Sequence, residues 1–469
     1  MNYQTSIFPT PMLPRTDSTA VYRERLIALL SQDLDFHGQD QSYASHNFHA
    51  FPAKYPPQLP QKFINGLTNR GDHVLDPMMG SGTTILEATI AGRHGIGFDI
   101  DPLARLLTKV KTTLIDTQQA KHLGNQILKN AANAATERKK QLQTEFNSRW
   151  DEKTRQFIEY WFAAETQLAL FALLREIEAI PDDSLRAFFK LTFSAIIITK
   201  SGGVSLSRDL AHTRPHRAKL VYSPDGGILY GAELLDGDDR RLKYTTKKLR
   251  SPFEEFNKRL LTNLKSVHQP AVNEIKPDIK NGDAQQLPIA SDSIDLIVTS
   301  PPYASNAIDY MRAHKFSLVW FGYSIDELGQ TRKDYIGGEA LTEFQFEPIP
   351  PYTTEIVRQI TDLDEKKGQV LHRYYSEMTH VLREMFRVLQ PGKASIVVVG
   401  NSVLRGKDTE TANCLAAIGE SLGFDVPKIG VRQLDRNRRM MPAGRKINKK
   451  SQIQQRMHEE YVIGFLKPE

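Results

Sequence analysis

A short apolar run, His73-Val-Leu-Asp76, breaks directly into Pro77-Met-Met-Gly-Ser-Gly-Thr-Thr84, and a helical pattern follows through Ala91. Gly95-Ile-Gly-Phe-Asp99 then reads as a second short strand ending on an acid. Strand, glycine turn, helix and strand in that order predict a βαβ unit. The turn brings backbone close to whatever binds there. It lacks the lysine of a phosphate-binding P-loop and the full G-x-G-x-x-G spacing of a dinucleotide site. What remains suits a ligand with a nucleoside and an amino-acid moiety, and Asp99 is placed to accept two ribose hydroxyls.

The α/β rhythm is interrupted once. Residues 1–35 read as an extended arm followed by a helix near Ala20–Leu34, and 36–110 contain the βαβ unit. Residues 111–277 are helical in their first part, as in Glu165–Ile180 and Leu185–Lys200. Their second half, Ser201–Arg250, is rich in Gly, Arg and Asp and reads as irregular. The whole segment carries a net charge of +7 and is taken as an insertion with its own small core. The rhythm resumes in 278–469. Asp295–Ser300 is a strand, 323–368 an irregular stretch, and Tyr374–Leu389 a helix stopped by Pro391-Gly392. Ala394–Val399 is a buried strand, Thr411–Leu422 a helix, and Ile429–Leu434 and Tyr461–Leu466 form a terminal hairpin.

With 469 residues, 40% hydrophobic and 25% charged, the composition is that of a folded soluble chain rather than a disordered one. No run approaches the roughly 18 apolar residues of a membrane span. The first twenty residues lack the basic and apolar regions of a secretory signal, so a cytoplasmic location is expected. One cysteine, Cys414, excludes an intrachain disulfide and a cysteine zinc site. His212 and His216 stand four apart with Pro215 between them, which argues against a helical metal pair. No metal is expected.

The second motif is Thr299-Ser-Pro-Pro-Tyr303 at a strand end. It reads either as a proline turn that ends the strand or as a reactive site. Consecutive prolines stiffen the chain and leave their carbonyls free as acceptors. A serine hydroxyl, a fixed carbonyl and an aromatic face then converge at the carboxyl edge of the sheet, where open α/β folds bind ligands.

Together these motifs resemble the DNA amino-methyltransferase family, which methylates exocyclic nitrogens of cytosine or adenine with S-adenosylmethionine. The resemblance covers about residues 45–110 and 278–469. It implies a Rossmann-like methyltransferase fold: a seven-stranded, mostly parallel sheet with a terminal antiparallel hairpin, plus the largely helical insertion. It implies cofactor contacts from the glycine motif (Asp76, Pro77, Gly80, Ser81, Gly82, Thr83 and Thr84) and from the ribose acid (Asp99 with Ile100). The adenine-side motif Asn281-Gly-Asp-Ala284 would add Asp283 and Ala284. A motif closing over the methionine end would add Phe51, Pro52, Ala53 and Lys54. It implies that Ser300, Pro301, Pro302 and Tyr303 are catalytic. Met78 stands where the family usually has an aromatic residue, and the insertion precedes the adenine-side motif where a target-recognition insert usually follows it.

In that chemistry Ser300 Oγ and the Pro301 carbonyl accept the amine hydrogens, and Tyr303 offers a face to the flipped base. Ring-carbon methylation would need an activated cysteine, and Cys414 sits inside a helical pattern with no proline before it. The serine favours cytosine N4, because adenine enzymes of the family more often carry Asp or Asn. Adenine-N6 or RNA methylation are the alternatives. Double-stranded DNA is the expected partner, and any cognate restriction endonuclease would be a separate chain. Between Arg432 and Arg456 nine Lys/Arg face one acid, an excess of +8 that exceeds the net charge of +6. Arg436, Arg438, Arg439, Arg445, Lys446 and Lys449 there read as a solvated loop or as phosphate contacts. Arg208, Arg214 and Arg217 in the insertion are a second candidate surface. The stretch Ile308–Arg312, with Lys315, follows the tetrapeptide and reads either as a border of the base pocket or, through Phe316 and Trp320, as helix core.

Overall fold

Seven strands pair into one sheet in the computed structural model, which describes residues 18–469 apart from 53, 211–214, 237–241, 268–274, 305–308, 340 and 435–458. They are β1 (His73–Asp76), β2 (His94–Phe98), β3 (Asp278–Lys280), β4 (Ile294–Thr299), β5 (Leu389–Val399), β6 (Asp425–Gln433) and β7 (Glu459–Leu466). Their order is β6-β7-β5-β4-β1-β2-β3. β7 runs antiparallel to both neighbours, and the other pairings are parallel. The expected α/β sheet with its terminal hairpin is therefore present. β3 has no counterpart in the strands read from the sequence, since three residues are too few to show a pattern.

The sheet is covered on both faces, and alternate residues go to alternate cores. Val74, Leu296, Val298, Ile396 and Val398 pack with helices α1 (Thr19–Leu30) and α2 (Gln58–Leu67). Leu75, Ile297, Val397 and Val399 face the other way, toward a long helix at Glu365–Val388. Helix α1 crosses the terminal hairpin at two glycines. A Cβ on Gly464 would stand 2.5 Å from Leu30 Cδ1, and one on Gly430 2.8 Å from the Leu30 carbonyl oxygen.

Three local expectations are corrected. The helix at Glu365–Val388 is not stopped by Pro391-Gly392: β5 begins at Leu389 and contains both residues, with Gly392 at φ +72° and a register shift against β4 there. The 323–368 stretch holds helices at Ile325–Lys333 and Pro351–Thr361, the second opening with Pro351 at its first turn. Ser201–Arg250 contains a small sheet in which Leu220–Tyr222 lies between Ile228–Tyr230 and Thr246–Lys248.

The insertion's helices, from Thr117–Glu137 to Pro252–Lys265, do not close a core by themselves. Their main cluster also takes in Leu103 and Leu107 of α4 (Pro102–Lys111) and Met311, Phe316 and Trp320. Among the described residues, Ala163, Leu206, Ala218, Val221 and Leu249 form a small core of the segment's own. Trp320 is fully buried among the rings of Trp150, Phe162 and Phe193, the helix-core role its spacing suggested.

Candidate functional site

Strand order reverses between β1 and β4, and a cleft opens there beyond their carboxyl ends. Its first wall is the glycine turn. Gly80 (φ +45°) and Gly82 (φ +69°) take the left-handed conformation. Gly82 precedes α3 (Thr83–Ile90), and a Cβ there would meet Thr108 Oγ1 at 2.3 Å, so α3 and α4 close together through it. Behind the turn, the buried Lys111 ammonium donates to the Ser81 carbonyl at 2.6 Å. Burial holds that ammonium well below its ordinary pKa.

Asp99 closes the turn from the next strand. Its carboxylate accepts from Gly80 N and Asp101 N, each at 2.8 Å, and opens onto the cleft. Burial first, and the Asp101 charge second, push its carboxyl up to about 7. Asp76 accepts from Thr299 Oγ1 at 2.7 Å, which ties the ends of β1 and β4, and burial raises it to about 6. On the adenine side, a Cβ on Gly282 would meet the Phe98 ring at 2.6 Å, so the Asn281-Gly-Asp-Ala turn lies directly on β2.

Of the residues singled out in the sequence, Phe51, Lys54, Asp76, Pro77, Gly80, Ser81, Thr83, Asp99, Ile100, Asp283 and Ala284 line the cleft, as do Ser300 and Pro302. Pro52, Gly82, Thr84, Pro301 and Tyr303 do not. Thr84 is buried and donates to the Val298 carbonyl at 3.0 Å. Tyr303 directs its phenol to Glu460 on β7, at 2.7 Å. Lys54 is exposed along its stem, but its ammonium donates to the His46 and His49 carbonyls, and desolvation lowers it to about 8. Ala53 lies outside the described residues.

A further wall comes from beyond the tetrapeptide. Helix α5 (Tyr310–Leu318) and the turn after Lys333 bring Tyr310 and Tyr335 to the cleft. Phe51 stacks on Tyr310 with centroids 5.8 Å apart and lies 4.9 Å from the His314 ring. His314 Nδ1 bonds Asp101 Oδ2 at 2.5 Å, and the Tyr335 hydroxyl donates to the same oxygen at 2.8 Å. Burial alone would raise Asp101, but His314 and these donors hold it below the ordinary carboxylate value. Asp101 was legible as the cap before Pro102, since it accepts from Leu103 N at 2.8 Å. Nothing local marks Tyr335.

A family model described as DNA methylase matches residues 32–109, the span that holds the glycine turn and Asp99. The Type II methyltransferase M.MvaI of Kocuria varians is 24% identical over 397 residues, covering 80% of this chain and 81% of its own. The Type II methyltransferase M.BsoBI of Geobacillus stearothermophilus is 25% identical over 443 residues, covering 83% and 80%. The chain is thus similar to DNA methylases across its glycine turn and Asp99, and to Type II methyltransferases over most of its length.

S-adenosylmethionine is the cofactor that the resemblance implies. The cleft fits it. Asp99 offers carboxylate oxygens for hydroxyls, Ile100, Ala284 and Ile336 give an apolar wall, and the acids of the turn suit a sulfonium cation. Cys414 is buried, and burial raises its thiol to about 11. Arg208 N donates to the His216 carbonyl at 2.9 Å, and Arg217 pairs with Ser207 in an isolated bridge. Arg217 donates from Nε to the Tyr160 carbonyl at 2.8 Å, and its guanidinium lies over the Tyr160 and Tyr230 rings. Arg214, His212, Arg436, Arg438, Arg439, Arg445, Lys446 and Lys449 lie outside the described residues. No single helix among the described residues is long and apolar enough to cross a membrane.

Proposed function

We propose that this enzyme methylates double-stranded DNA at a specific site, on the exocyclic amine of a base flipped into the cleft, with cytosine N4 the preferred acceptor. The observation that carries the reading is that Ser300 and Pro302 share one cleft with Gly80, Asp99 and Asp283. When bound, the cofactor supplies an electrophilic methyl on a sulfonium.

The chain's own residues do the rest. Ser300 Oγ and the Pro301 carbonyl accept the two amine hydrogens, which directs the nitrogen lone pair toward the cleft. Asp76 holds the end of β4, and with it Ser300, through Thr299. Tyr303, outside the lining of the cleft but next to Pro302, gives the base a face to stack on as it enters. The departing thioether is neutral, and the methylated amine is left as a cation acidic enough to lose its extra proton to solvent, so no strong base is required. The acids near the turn favour the positive charge that develops on the amine.

The similarity to Type II methyltransferases supports a site-specific DNA substrate. The serine at 300 supports cytosine over adenine. The test incubates the protein with methyl-labelled cofactor and duplex DNA, single-stranded DNA or RNA, and identifies labelled nucleosides by mass spectrometry. N4-methylcytosine from duplex DNA is the expected product. N6-methyladenine would reverse the base assignment, and label only in RNA would reverse the substrate.

A further inference from the structure

Tyr303 makes a contact that stacking does not need. A phenylalanine would offer the same face, whereas a tyrosine in the fold needs a partner for its hydroxyl. That partner is Glu460 Oε1, at 2.7 Å. The other carboxylate oxygen of Glu460 pairs with Arg432 Nη1, and Arg432 Nε donates to the Leu34 carbonyl at 3.2 Å. Arg432 and Glu460 face each other across β6 and β7 and are 6% and 9% exposed. Carbonyl, guanidinium, carboxylate and phenol therefore form one buried chain of charge-assisted bonds. They tie the end of the catalytic tetrapeptide to the last-but-one cross-strand pair of the hairpin. Burial and the neighbouring carboxylate keep the phenol protonated, and so a donor, throughout the ordinary pH range.

We propose that Glu460 is a positioning residue for methyl transfer, fixing the Tyr303 ring as the platform for the flipped base. The inference rests on the reading of Ser300–Tyr303 as the catalytic tetrapeptide. The bond acts in two ways. It removes the side-chain freedom that a free tyrosine would lose each time a base enters. A carboxylate acceptor also makes the ring more electron-rich, which favours the positive charge developing on the amine above it.

The test compares Tyr303→Phe, Glu460→Gln and the double variant in single-turnover methyl transfer, alongside cofactor and DNA affinities. Tyr303→Phe leaves the Arg432–Glu460 pair and the ring in place, so it reads the bond without disturbing the fold. Its rate is expected to fall about tenfold, the size of one charge-assisted bond, with both affinities within about twofold of wild type. Glu460→Gln is expected to slow the step by a similar factor, and the double variant to be no slower than the slower single variant. Melting temperatures of the Glu460→Gln variants are measured in parallel, because Arg432 loses its counter-charge there. A wild-type rate for Tyr303→Phe would overturn the proposal. So would single losses that multiply in the double variant, or a Glu460→Gln effect confined to melting temperature. Wild-type protein that transfers no methyl group to DNA would instead sink the reading of the site on which the proposal rests.

Discussion

The glycine turn at 77–84 and the tetrapeptide at 300–303 face each other across one cleft, yet they are held in different ways. The turn is braced from nearby in the chain: Gly80 by Asp99, 19 residues on, and Ser81 by Lys111, 30 residues on. The tetrapeptide is braced from far away. Thr299 is tied to Asp76 across 223 residues and Tyr303 to Glu460 across 157. The first wall is built by backbone geometry within a βαβ unit, so it forms as that unit forms. The second exists only once the whole sheet, including its terminal hairpin, has closed. The cofactor wall should therefore tolerate changes elsewhere, while the transfer wall should respond to distant ones.

The largest expected effect separates the walls by chemistry. Ser300→Ala removes one amine acceptor and should slow single-turnover transfer on the order of 10²-fold. Rapid-quench kinetics at saturating cofactor checks this. A rate near wild type would mean that the serine is not an acceptor.

Gly82→Val tests the local bracing. A side chain there meets Thr108 and the backbone is left-handed, so the variant should lose on the order of 2–3 kcal/mol in urea unfolding. An unchanged midpoint would show that α3 and α4 do not close through this glycine.

The third effect is set by pH. The Asp99 carboxyl is pushed up to about 7, chiefly by burial, and its ionised form is the better acceptor for ribose hydroxyls. Affinity for the cofactor should be constant above pH 8 and fall by up to about tenfold per unit below 7. Because the folded value lies above the ordinary one near 3.9, ionised Asp99 also costs stability as pH rises from about 4 to 7. Calorimetry across pH 5.5–8.5, with Asp99→Asn as the flat control, checks the binding profile.

The smallest effect concerns DNA. Neutralising Arg436, Arg438 and Arg439 should flatten the dependence of log affinity on log salt by about 2–3 units, equally for target and non-target duplexes. If the slope is unchanged in a salt titration, the phosphate-contacting surface moves to Arg208 and Arg217 in the insertion.

These contrasts also explain what could be read from the residues alone. The turn, Asp99, the Asn281–Ala284 motif and the tetrapeptide are contiguous patterns, and every strand of four or more residues shows its apolar run. Phe51 was found through its motif. Tyr335 was not, because it reaches the cleft from a turn that no local pattern marks. The insertion read as separate because its composition differs, while its packing against α4 and α5 depends on partners that no spacing reveals. Pro391-Gly392 misled for a related reason. A local stop signal was absorbed by a strand already held in register by β4 and β7.

The division of labour between the two walls can be tested in one paired measurement: cofactor affinity by calorimetry and single-turnover rate at saturating cofactor, for wild type, Asp99→Ala and Ser300→Ala. Asp99→Ala should weaken cofactor binding by about 1.5–3 kcal/mol and leave the saturated rate within a few-fold of wild type. Ser300→Ala should do the reverse, with cofactor affinity unchanged and the rate reduced. Two variants that each lose both properties by similar factors would contradict the account, because the cleft would then be one coupled unit rather than two separately built walls.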